Sequence, residues 1–554
     1  MLEGCTPYPA DDSARYVHEG YWRPETLGDL LETAARTWPQ RTVVADGARR
    51  VRYAELDTLA NRLALRLLDA GLKPRDIVLL QIPNRWEFAV VFFALQKIGV
   101  LPVMCLPSHR HTELAYFAKL TNATGYFVAP EYRGFDYLVM AREIQDEVPG
   151  LQYVMALGDG SQAGVRYVQP WLDEPVETKS PPDVLLRYRP NPLDVALFLL
   201  SGGTTGIPKL IPRTHADYLY NARQCVEVLR WDSSVVFLIV IPAAHNFPLS
   251  SPGLLGAITV GGSVAMCPST ESERVFEVIE REKGTCLAVS PALLIALLHS
   301  PHRSKYDLRS LRLVAVGGQK MLPELTDRTW AAWNHAIPVQ VFGMAEGLVN
   351  MTRLDDPSDV IRETQGRPIS PADEIRIVDD EDRKVPPGAV GELLTRGPYT
   401  IRGYYKAEEH NRTAFTPDGF YRTGDMVRLH PSGNLVVEGR KKDMINRGGE
   451  KISAEEVENL ILSHDSVHMV AVVAMPDPVL GERSCAFVIP KPGRTLALDE
   501  LNAFLLAKRI AKFKLPERLE LVQSFPLTGV GKVSKKDLRD QIANQLKAEG
   551  KWLA

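Results

Sequence analysis

The chain has 554 residues, 45% hydrophobic and 24% charged, which is enough for two or more globular domains. Its net charge of −3 comes from 65 basic and 68 acidic residues, and this balance argues against a basic nucleic-acid-binding arm. The six cysteines form no CxxC pair and no zinc-type spacing, so they indicate a reducing compartment rather than a disulfide framework.

The sequence shows no targeting or membrane-spanning pattern. The start, MLEGCTPYPADDSARY, lacks the basic and then apolar order of a signal peptide. The most apolar run, VVFLIVIPAA, is too short to cross a bilayer as a helix. We therefore expect a cytoplasmic protein that binds neither nucleic acid nor a membrane.

Helices alternate with buried strands from the start of the chain. Thr26 and Asp29 form a capping box before the amphipathic helix in TLGDLLETAARTW, and a second helix, YAELDTLANRLALRLLDAGL, ends at Gly71. The continuous apolar runs DIVLLQI and VLPVMCL flank the helix RWEFAVVFFALQKIG, and similar runs recur at VVFLIVI, GGSVAMC, TCLAVS and RLVAVGG. Apolar strands that alternate with helices predict an α/β fold whose sheets are covered on both faces.

The last segment of the chain has a different pattern. A helix in SAEEVENLILSH is followed by the strands VHMVAVVAM and CAFVIP, the helix LDELNAFLLAKRI and the strand ERLELV. This order predicts a small α+β domain. We place the boundary near Lys442, with an N-terminal core over 1–441 and a C-terminal domain over 442–554.

A glycine-rich stretch, SGGTTGIPK at 201–209, has the composition of a phosphate-binding loop. It is not a Walker A loop, because Pro208 precedes Lys209 and Leu210 takes the place of the magnesium-binding hydroxyl. Glycine backbone N–H groups, hydroxyls and a lysine nevertheless suit an anion. A plain surface turn is the alternative for such a stretch when it stands alone.

Four motifs together resemble the adenylate-forming enzymes, a superfamily of acyl-CoA ligases, peptide-synthetase adenylation domains and luciferases. They are SGGTTGIPK, YRTGD at 421–425, GRKKDMINRGGEKIS at 439–453 and PLTGVGK at 526–532, and they occur in the superfamily's order. The resemblance implies a large N-terminal domain with two α/β-layered sheets and a smaller β-barrel-like part. It also implies a small, mobile α+β C-terminal domain.

The resemblance also implies how ATP and Mg²⁺ are bound. Lys532 would be the catalytic lysine of adenylation, Glu346 in VFGMAEG would hold magnesium, and Gly318 and Gln319 would back the adenine. Asp425 and Arg440 would meet the ribose. The residues expected to hold the phosphates are Ser201, Gly202, Gly203, Thr204, Thr205 and Lys209.

The motif around Glu346 departs from the superfamily's usual Tyr-Gly-x-Thr-Glu. Phe342 replaces the tyrosine, and Ala345 replaces the threonine, so the hydroxyl contact to the nucleotide is in doubt. FGMAEG looks like the variant found in members that activate aryl acids.

The stretch IPAAHNFPLSSPG, at 241–253, narrows the expected acid. It resembles the stand-alone ligases that activate 2,3-dihydroxybenzoate for catechol siderophores, in which an asparagine meets the 2-hydroxyl and a serine meets the 3-hydroxyl. Asn246 and Ser251 hold those places, whereas salicylate-activating relatives usually carry cysteine instead of the asparagine. A site built to bond a hydroxyl disfavours an acid that lacks it.

Apolar residues complete the expected aryl-acid site. Phe247, Val341 and Val349 would form its walls, and Gly317 would back the ring. Core packing is an equal interpretation of the valines. We assign His245 to catalysis as a mobile or gating residue, with a structural histidine as the equal alternative.

The resemblance further implies a second half-reaction, in which the C-terminal domain swings about a hinge at Lys442 and Asp443. Gly448 and Gly449 would then line the approach of a pantetheine thiol. The chain ends at ANQLKAEGKWLA, so we expect the thiol to come from a separate aryl carrier protein bearing phosphopantetheine, or from coenzyme A.

Three alternatives remain beside a 2,3-dihydroxybenzoate–AMP ligase. A salicylate–AMP ligase and an aryl-CoA ligase share the expected fold. A degenerate nucleotide-binding partner protein is the non-enzymatic reading. The joint presence of Lys209, Glu346, Asp425, Arg440 and Lys532 argues against this last reading.

Overall fold

The computed structural model describes residues 2–179, 181–201, 208–448, 450–508, 510–527 and 533–551. These residues form two compact units. The first comprises 2–201, 208–374 and 395–421, and the second comprises 375–394 and 422–551. The predicted division into a core over 1–441 and a mobile C-terminal domain over 442–554 stays a prediction.

A nine-stranded sheet is the larger of the two main sheets in the first unit. Its six central strands run parallel, and antiparallel strands close both edges. In spatial order the strands are Arg367–Pro368, Val349–Met351, Ile337–Gly343, Leu313–Gly317, Cys286–Val289, Val236–Ile239, Ser263–Met266, Thr42–Asp46 and Arg49–Arg52.

A seven-stranded sheet is the second layer of the first unit. One edge is an antiparallel hairpin, and the other pairs are parallel. Its strands in spatial order are Leu210–Thr214, Val195–Leu200, Leu101–Met104, Ile77–Gln81, Gly125–Val128, Tyr153–Ala156 and Val165–Tyr167. A short hairpin, Glu131–Tyr132 with Phe135–Asp136, stands apart from both sheets.

Helices cover the two sheets. The α-helices of the first unit are Ala10–His18, Leu27–Thr37, Tyr53–Asp69, Trp86–Lys97, His111–Thr121, Tyr137–Glu147, Val168–Asp173, His215–Val228, Asn246–Ser250, Gly253–Thr259, Ser272–Glu282, Pro291–His299, Pro323–Ala332, Ser358–Glu363 and Glu408–Ala414. Its 3₁₀-helices are Val176–Thr178, Pro182–Tyr188 and Arg303–Lys305.

Helix Trp86–Lys97 lies between the two sheets. It contacts strand Thr42–Asp46 of the larger sheet and strand Leu101–Met104 of the smaller one. Phe88, Phe92 and Phe93 are fully buried on it. Because nearly the whole helix is buried, its apolar residues occur all around it rather than on one face.

The second unit contains two smaller sheets. One is antiparallel where its register is described, with strands Glu374–Val378, Gly391–Arg396, Tyr421–Leu429 and Leu435–Arg440 in spatial order. The other has strands Glu450–Ser453, Met444–Arg447, Gly481–Pro490 and Val467–Asp477, with Arg518–Leu521 beside Gly481–Pro490.

The helices of the second unit complete the α+β pattern. They are Ala454–Leu462, Leu498–Ala507 and Lys535–Ala548, with 3₁₀-helices Lys441–Asp443 and Lys512–Lys514. The structure therefore confirms the predicted α/β class with two layered sheets.

In the part of the chain that is described, no helix is long and apolar enough to span a membrane.

Candidate active site

The predicted phosphate loop is closed by hydrogen bonds between its two ends. Ser201 N donates to the carbonyl of Lys209, and Lys209 N donates to Ser201 Oγ, both at 2.9 Å. The flanking strands Val195–Leu200 and Leu210–Thr214 pair antiparallel. A P-loop leads into a helix, whereas Lys209 is followed by a strand, which agrees with the exclusion of that motif. Gly202, Gly203, Thr204 and Thr205 lie outside the described residues.

Lys209 and Glu346 share a neighbour that the sequence did not indicate. The ammonium of Lys209 lies 5.9 Å from the centre of the Tyr404 ring. The Tyr404 hydroxyl donates a 2.7 Å hydrogen bond to Glu346 Oε1. The buried tyrosine thereby links the lysine expected at the phosphates to the carboxylate expected at the metal.

The turn that carries Glu346 is fixed from several sides. Ile401 N donates to the Glu346 carbonyl at 2.8 Å. Gly347 has a φ of +156°, and a Cβ there would lie 2.5 Å from the Cα of Thr400, so only glycine fits. Arg213 Nη1 donates to the Ala345 carbonyl at 2.9 Å.

Arg213 is itself fully buried. Its Nε lies 2.8 Å from Asp217 Oδ1, and this partner removes the penalty of an unpaired buried charge. Asp217 also belongs to the capping box with Thr214 that begins helix His215–Val228. Arg213 therefore links the start of the helix to the Glu346 turn, through its ion pair with Asp217 and its hydrogen bond to the Ala345 carbonyl.

His245 caps the short helix Asn246–Ser250. Its Nδ1 accepts the backbone N–H of Phe247 at 3.1 Å, so a neutral ring carries its proton on Nε2. The segment before it is held by Asn84, whose Oδ1 accepts from Ala243 N at 2.8 Å and whose Nδ2 donates to the Ile239 carbonyl at 3.0 Å. Capping accounts for the placement of His245, and its gating role stays a prediction.

The polar pair expected to read the acid's hydroxyls is hydrogen-bonded. Asn246 Nδ2 donates to Ser251 Oγ at 3.3 Å. Two residues that were not predicted, Tyr218 and Asn221, support this pair. Their signal was two polar side chains three positions apart on the mostly buried helix His215–Val228.

The expected apolar walls also come together. A Cβ on Gly317 would lie 3.1 Å from the Phe247 ring and 3.1 Å from the Val341 carbonyl. Val341 lies opposite Gly317 in parallel register, and Val349 is buried on the next strand. Gly317 ends its strand at the carboxyl edge of the sheet, where ligands bind in α/β folds.

Gly318 and Gln319, expected near the adenine, directly follow the strand that ends at Gly317. Both are exposed, and Gly318 has a φ of +87°, in the left-handed region that favours glycine. Their place at the carboxyl edge of the sheet is compatible with a ligand, and their role stays a prediction.

Asp425 and Arg440 face each other on neighbouring strands of the second unit. Arg440 Nε lies 2.8 Å from Asp425 Oδ1, and Arg440 Nη1 donates to the Thr423 carbonyl at 2.9 Å. Asp425 is only 3% exposed, so the arginine compensates a buried carboxylate. The pair is formed, and its contact with a ribose stays a prediction.

The predicted hinge residues occupy the 3₁₀-helix Lys441–Asp443. Asp443 Oδ1 lies 2.8 Å from Arg539 Nη1 within the same unit. Gly448 has a φ of +59°, and its N–H donates to the Leu480 carbonyl at 2.8 Å. Lys532 and Gly449 lie outside the described residues, so their predicted roles are untouched.

Among the described residues, no group of three or more His, Cys, Asp or Glu side chains is placed to hold a metal ion. Groups of that kind are what zinc-type sites use. The single carboxylate of Glu346 is instead compatible with Mg²⁺, which uses one or two carboxylates together with substrate phosphates.

Comparison with known proteins gives matches over nearly the whole chain. The sequence profile described as AMP-binding enzyme matches residues 31–405, and that of the AMP-binding enzyme C-terminal domain matches 456–532. The chain is 49% identical to the 2,3-dihydroxybenzoate-AMP ligase of Bacillus subtilis over 99% of both chains. It is 45% identical to the salicyl-AMP ligase / salicyl-S-ArCP synthetase of Mycobacterium tuberculosis, covering 98% of this chain and 95% of that one.

A solved structure agrees with the sequence comparison. The apo structure of Mycobacterium smegmatis MbtA is 44% identical and superposes with a TM-score of 0.74, covering 97% of this chain and 99% of that one. The predicted superfamily and its two-sheet α/β fold are confirmed.

Proposed function

Because the chain belongs to the AMP-binding enzyme family, we propose that it activates 2,3-dihydroxybenzoate with ATP. The products are the aryl adenylate and pyrophosphate. The aryl group then passes to the phosphopantetheine thiol of a separate aryl carrier protein. The most specific support is the hydrogen-bonded pair of Asn246 and Ser251 next to the apolar Phe247.

The names of the relatives support a 2-hydroxylated aryl acid as the substrate class. One relative is named for 2,3-dihydroxybenzoate and another for salicylate, and both acids carry a 2-hydroxyl. The two acids differ only at ring position 3. A second polar side chain beside Asn246 favours the acid with two hydroxyls, because a buried polar group left unpaired costs binding energy.

In the proposed first half-reaction, a carboxylate oxygen of the acid attacks the α-phosphorus of ATP. The bond from that phosphorus to the bridging oxygen breaks, and pyrophosphate leaves with the electron pair. Lys209 and the hydrogen-bonded loop ends at Ser201 would steady the departing charge. Glu346 would hold Mg²⁺ with phosphate oxygens, and the ion when bound would neutralise part of their charge.

In the proposed second half-reaction, the pantetheine sulfur attacks the adenylate carbonyl and AMP leaves. Lys532 would serve the first step and withdraw for the second as the 442–554 segment turns at Lys442 and Asp443. Gly448 and Gly449 would then border the thiol's path. One relative is named a salicyl-S-ArCP synthetase, which supports a carrier protein as the acceptor.

ATP–pyrophosphate exchange across a panel of acids tests this function. We expect kcat/KM to be highest for 2,3-dihydroxybenzoate, lower for salicylate and lowest for benzoate. A preference for salicylate or benzoate would contradict the proposed substrate. The acceptor is then tested by comparing the rate of thioester formation on an aryl carrier protein with the rate on free coenzyme A.

A further inference from the structure

We propose that Tyr218 fixes the amide of Asn246 so that it offers an N–H, and not its carbonyl, to the substituent at ring position 2 of the acid. This inference rests on the proposed function and deepens it. It makes Tyr218 a positioning residue that acts on specificity through Asn246.

The first support is the hydrogen bond between the two side chains. The Tyr218 hydroxyl donates to Asn246 Oδ1 at 2.9 Å. Tyr218 is fully buried, and burial raises the pKa of its hydroxyl, so the group keeps its proton and remains a donor. An amide whose oxygen is engaged in this way has its nitrogen on the opposite side.

The second support is the arrangement around Ser251. Its Oγ accepts from Asn246 Nδ2 at 3.3 Å and lies 3.2 Å from Asn221 Nδ2, which also donates to the Ser250 carbonyl at 2.8 Å. Asn221 Nδ2 has two hydrogens, and the Ser250 carbonyl and Ser250 Oγ, at 3.1 Å, are both nearer to it than Ser251 Oγ. The hydrogen bond from Asn246 therefore defines Ser251 Oγ as an acceptor toward that amide. Ser251 is left with its own O–H to donate.

The two side chains therefore present donors. Asn246 Nδ2 has two hydrogens and uses one on Ser251, and among the described residues nothing accepts the other. Asn246 is only partly buried, so an incoming molecule has access to it. The matching ligand carries acceptor oxygens at neighbouring ring positions.

A 2-hydroxybenzoate supplies such an oxygen. Its hydroxyl hydrogen bonds to its own carboxylate, and its oxygen remains to accept the N–H of Asn246. The 2-amino analogue has nearly the same shape, but its second N–H points at Asn246, so two donors face each other. A site with a fixed donor disfavours that analogue because its polar group goes unpaired.

The test compares salicylate with anthranilate, which differ by OH and NH₂ at ring position 2. We expect the unsubstituted enzyme to favour salicylate in ATP–pyrophosphate exchange by at least about tenfold in kcat/KM, the scale of one unpaired polar group. In Tyr218→Phe the Asn246 oxygen loses the hydroxyl that bonds it, so the amide group can rotate and present its oxygen to the acid. We expect the salicylate-to-anthranilate ratio to fall about tenfold.

Tyr220→Phe is the matched control. Tyr220 lies on the same helix, and its buried hydroxyl is 2.7 Å from Ser370 Oγ rather than near Asn246. We expect this variant to keep the ratio of the unsubstituted enzyme. Asn246→Asp is a second, independent variant, because a carboxylate offers only acceptors and should reverse the preference toward anthranilate.

The outcomes separate the inference from the function on which it rests. An unchanged ratio in Tyr218→Phe, or a preference of the unsubstituted enzyme for anthranilate, would overturn the inference alone. If Tyr218→Phe does not fold, an unmoved ratio in Asn246→Asp would overturn it. Absence of exchange with every acid in the unsubstituted enzyme would overturn the proposed function and the inference together.

Discussion

The hydroxyl of Tyr404 donates a 2.7 Å hydrogen bond to Glu346 Oε1. Tyr404 is 4% exposed, and burial together with the neighbouring carboxylate raises the pKa of its hydroxyl, so the tyrosine stays a donor. The hydroxyl oxygen of Tyr421 lies 2.9 Å from the hydroxyl oxygen of Tyr404. Glu346 is thus oriented by a chain of two tyrosines before any nucleotide binds.

Tyr404→Phe tests this relationship. Removal of the hydroxyl leaves a buried carboxylate oxygen without its donor, at a cost of about 1–3 kcal/mol. If Glu346 holds Mg²⁺ at the phosphates, kcat/KM for MgATP should fall between about fivefold and a hundredfold, with the KM for the aryl acid much less affected. Exchange assays at varied MgATP measure the change.

Tyr8→Phe is the control for the loss of a buried hydroxyl. The Tyr8 hydroxyl is buried and makes no hydrogen bond to the described residues, so its removal should leave the MgATP kinetics unchanged. Equal kinetics for Tyr404→Phe and Tyr8→Phe would show that the contact with Glu346 is not used in nucleotide binding.

Lys532→Ala tests the predicted division of labour between the half-reactions. We expect the variant to lose adenylate formation by about three orders of magnitude, because a charge placed for the transition state is among the largest catalytic contributions. It should still form thioester from supplied aryl adenylate. Single-turnover assays of the two steps, measured separately, make the comparison.

Lys536→Ala provides a nearby surface control. Lys536 is about half exposed and lies 3.5 Å from Asp540, one helical turn away, so its loss should affect neither step. Equal loss of both half-reactions in Lys532→Ala would refute the proposed role of that lysine.

Local patterns predicted much of the fold. The apolar run DIVLLQI contains strand Ile77–Gln81, and every residue of that strand is buried, as expected for a strand covered on both faces. The capping box of Thr26 and Asp29 begins helix Leu27–Thr37. Such signals lie within one element of the chain. They place Gly317 at the end of a strand, but they give no partners across the fold.

The partners of the candidate site were missed for that reason. Tyr404 and Glu346 are 58 residues apart, and Arg213 and Ala345 are 132 apart. No periodicity or spacing joins them, since their proximity depends on how the sheets and loops pack. Arg213 follows the glycine-rich loop closely in the sequence, but no local pattern indicates that it is buried, because arginine is seldom fully buried in proteins.

A buried acid in the first unit gives the protein a pH-dependent stability. Asp373 Oδ2 accepts the hydroxyl of Tyr399 at 2.5 Å, whereas its Oδ1 is buried and has no partner among the described residues. Burial raises the pKa of Asp373 to about 8, although Tyr399 opposes the shift. The folded protein therefore holds a proton that the unfolded chain releases near pH 4.

This difference fixes the sign of the pH effect. The stabilising contribution of protonated Asp373 is complete below about pH 4 and is lost as the pH rises through about 8, because the folded state binds the additional proton in that window. Asp373→Asn keeps a neutral, similarly shaped side chain at every pH. Relative to the unsubstituted protein, the variant should gain stability between pH 5 and pH 8.5, on the order of a few kcal/mol.

Thermal unfolding of both proteins across this range measures the gain as a change in their Tm difference. Asp355→Asn is the control, because Asp355 is exposed and its partner Arg230, 2.6 Å away, lowers the pKa of the carboxyl. Its effect should therefore be constant above pH 5. A Tm difference that is equally constant for Asp373→Asn would mean that Asp373 is already ionised in the folded protein.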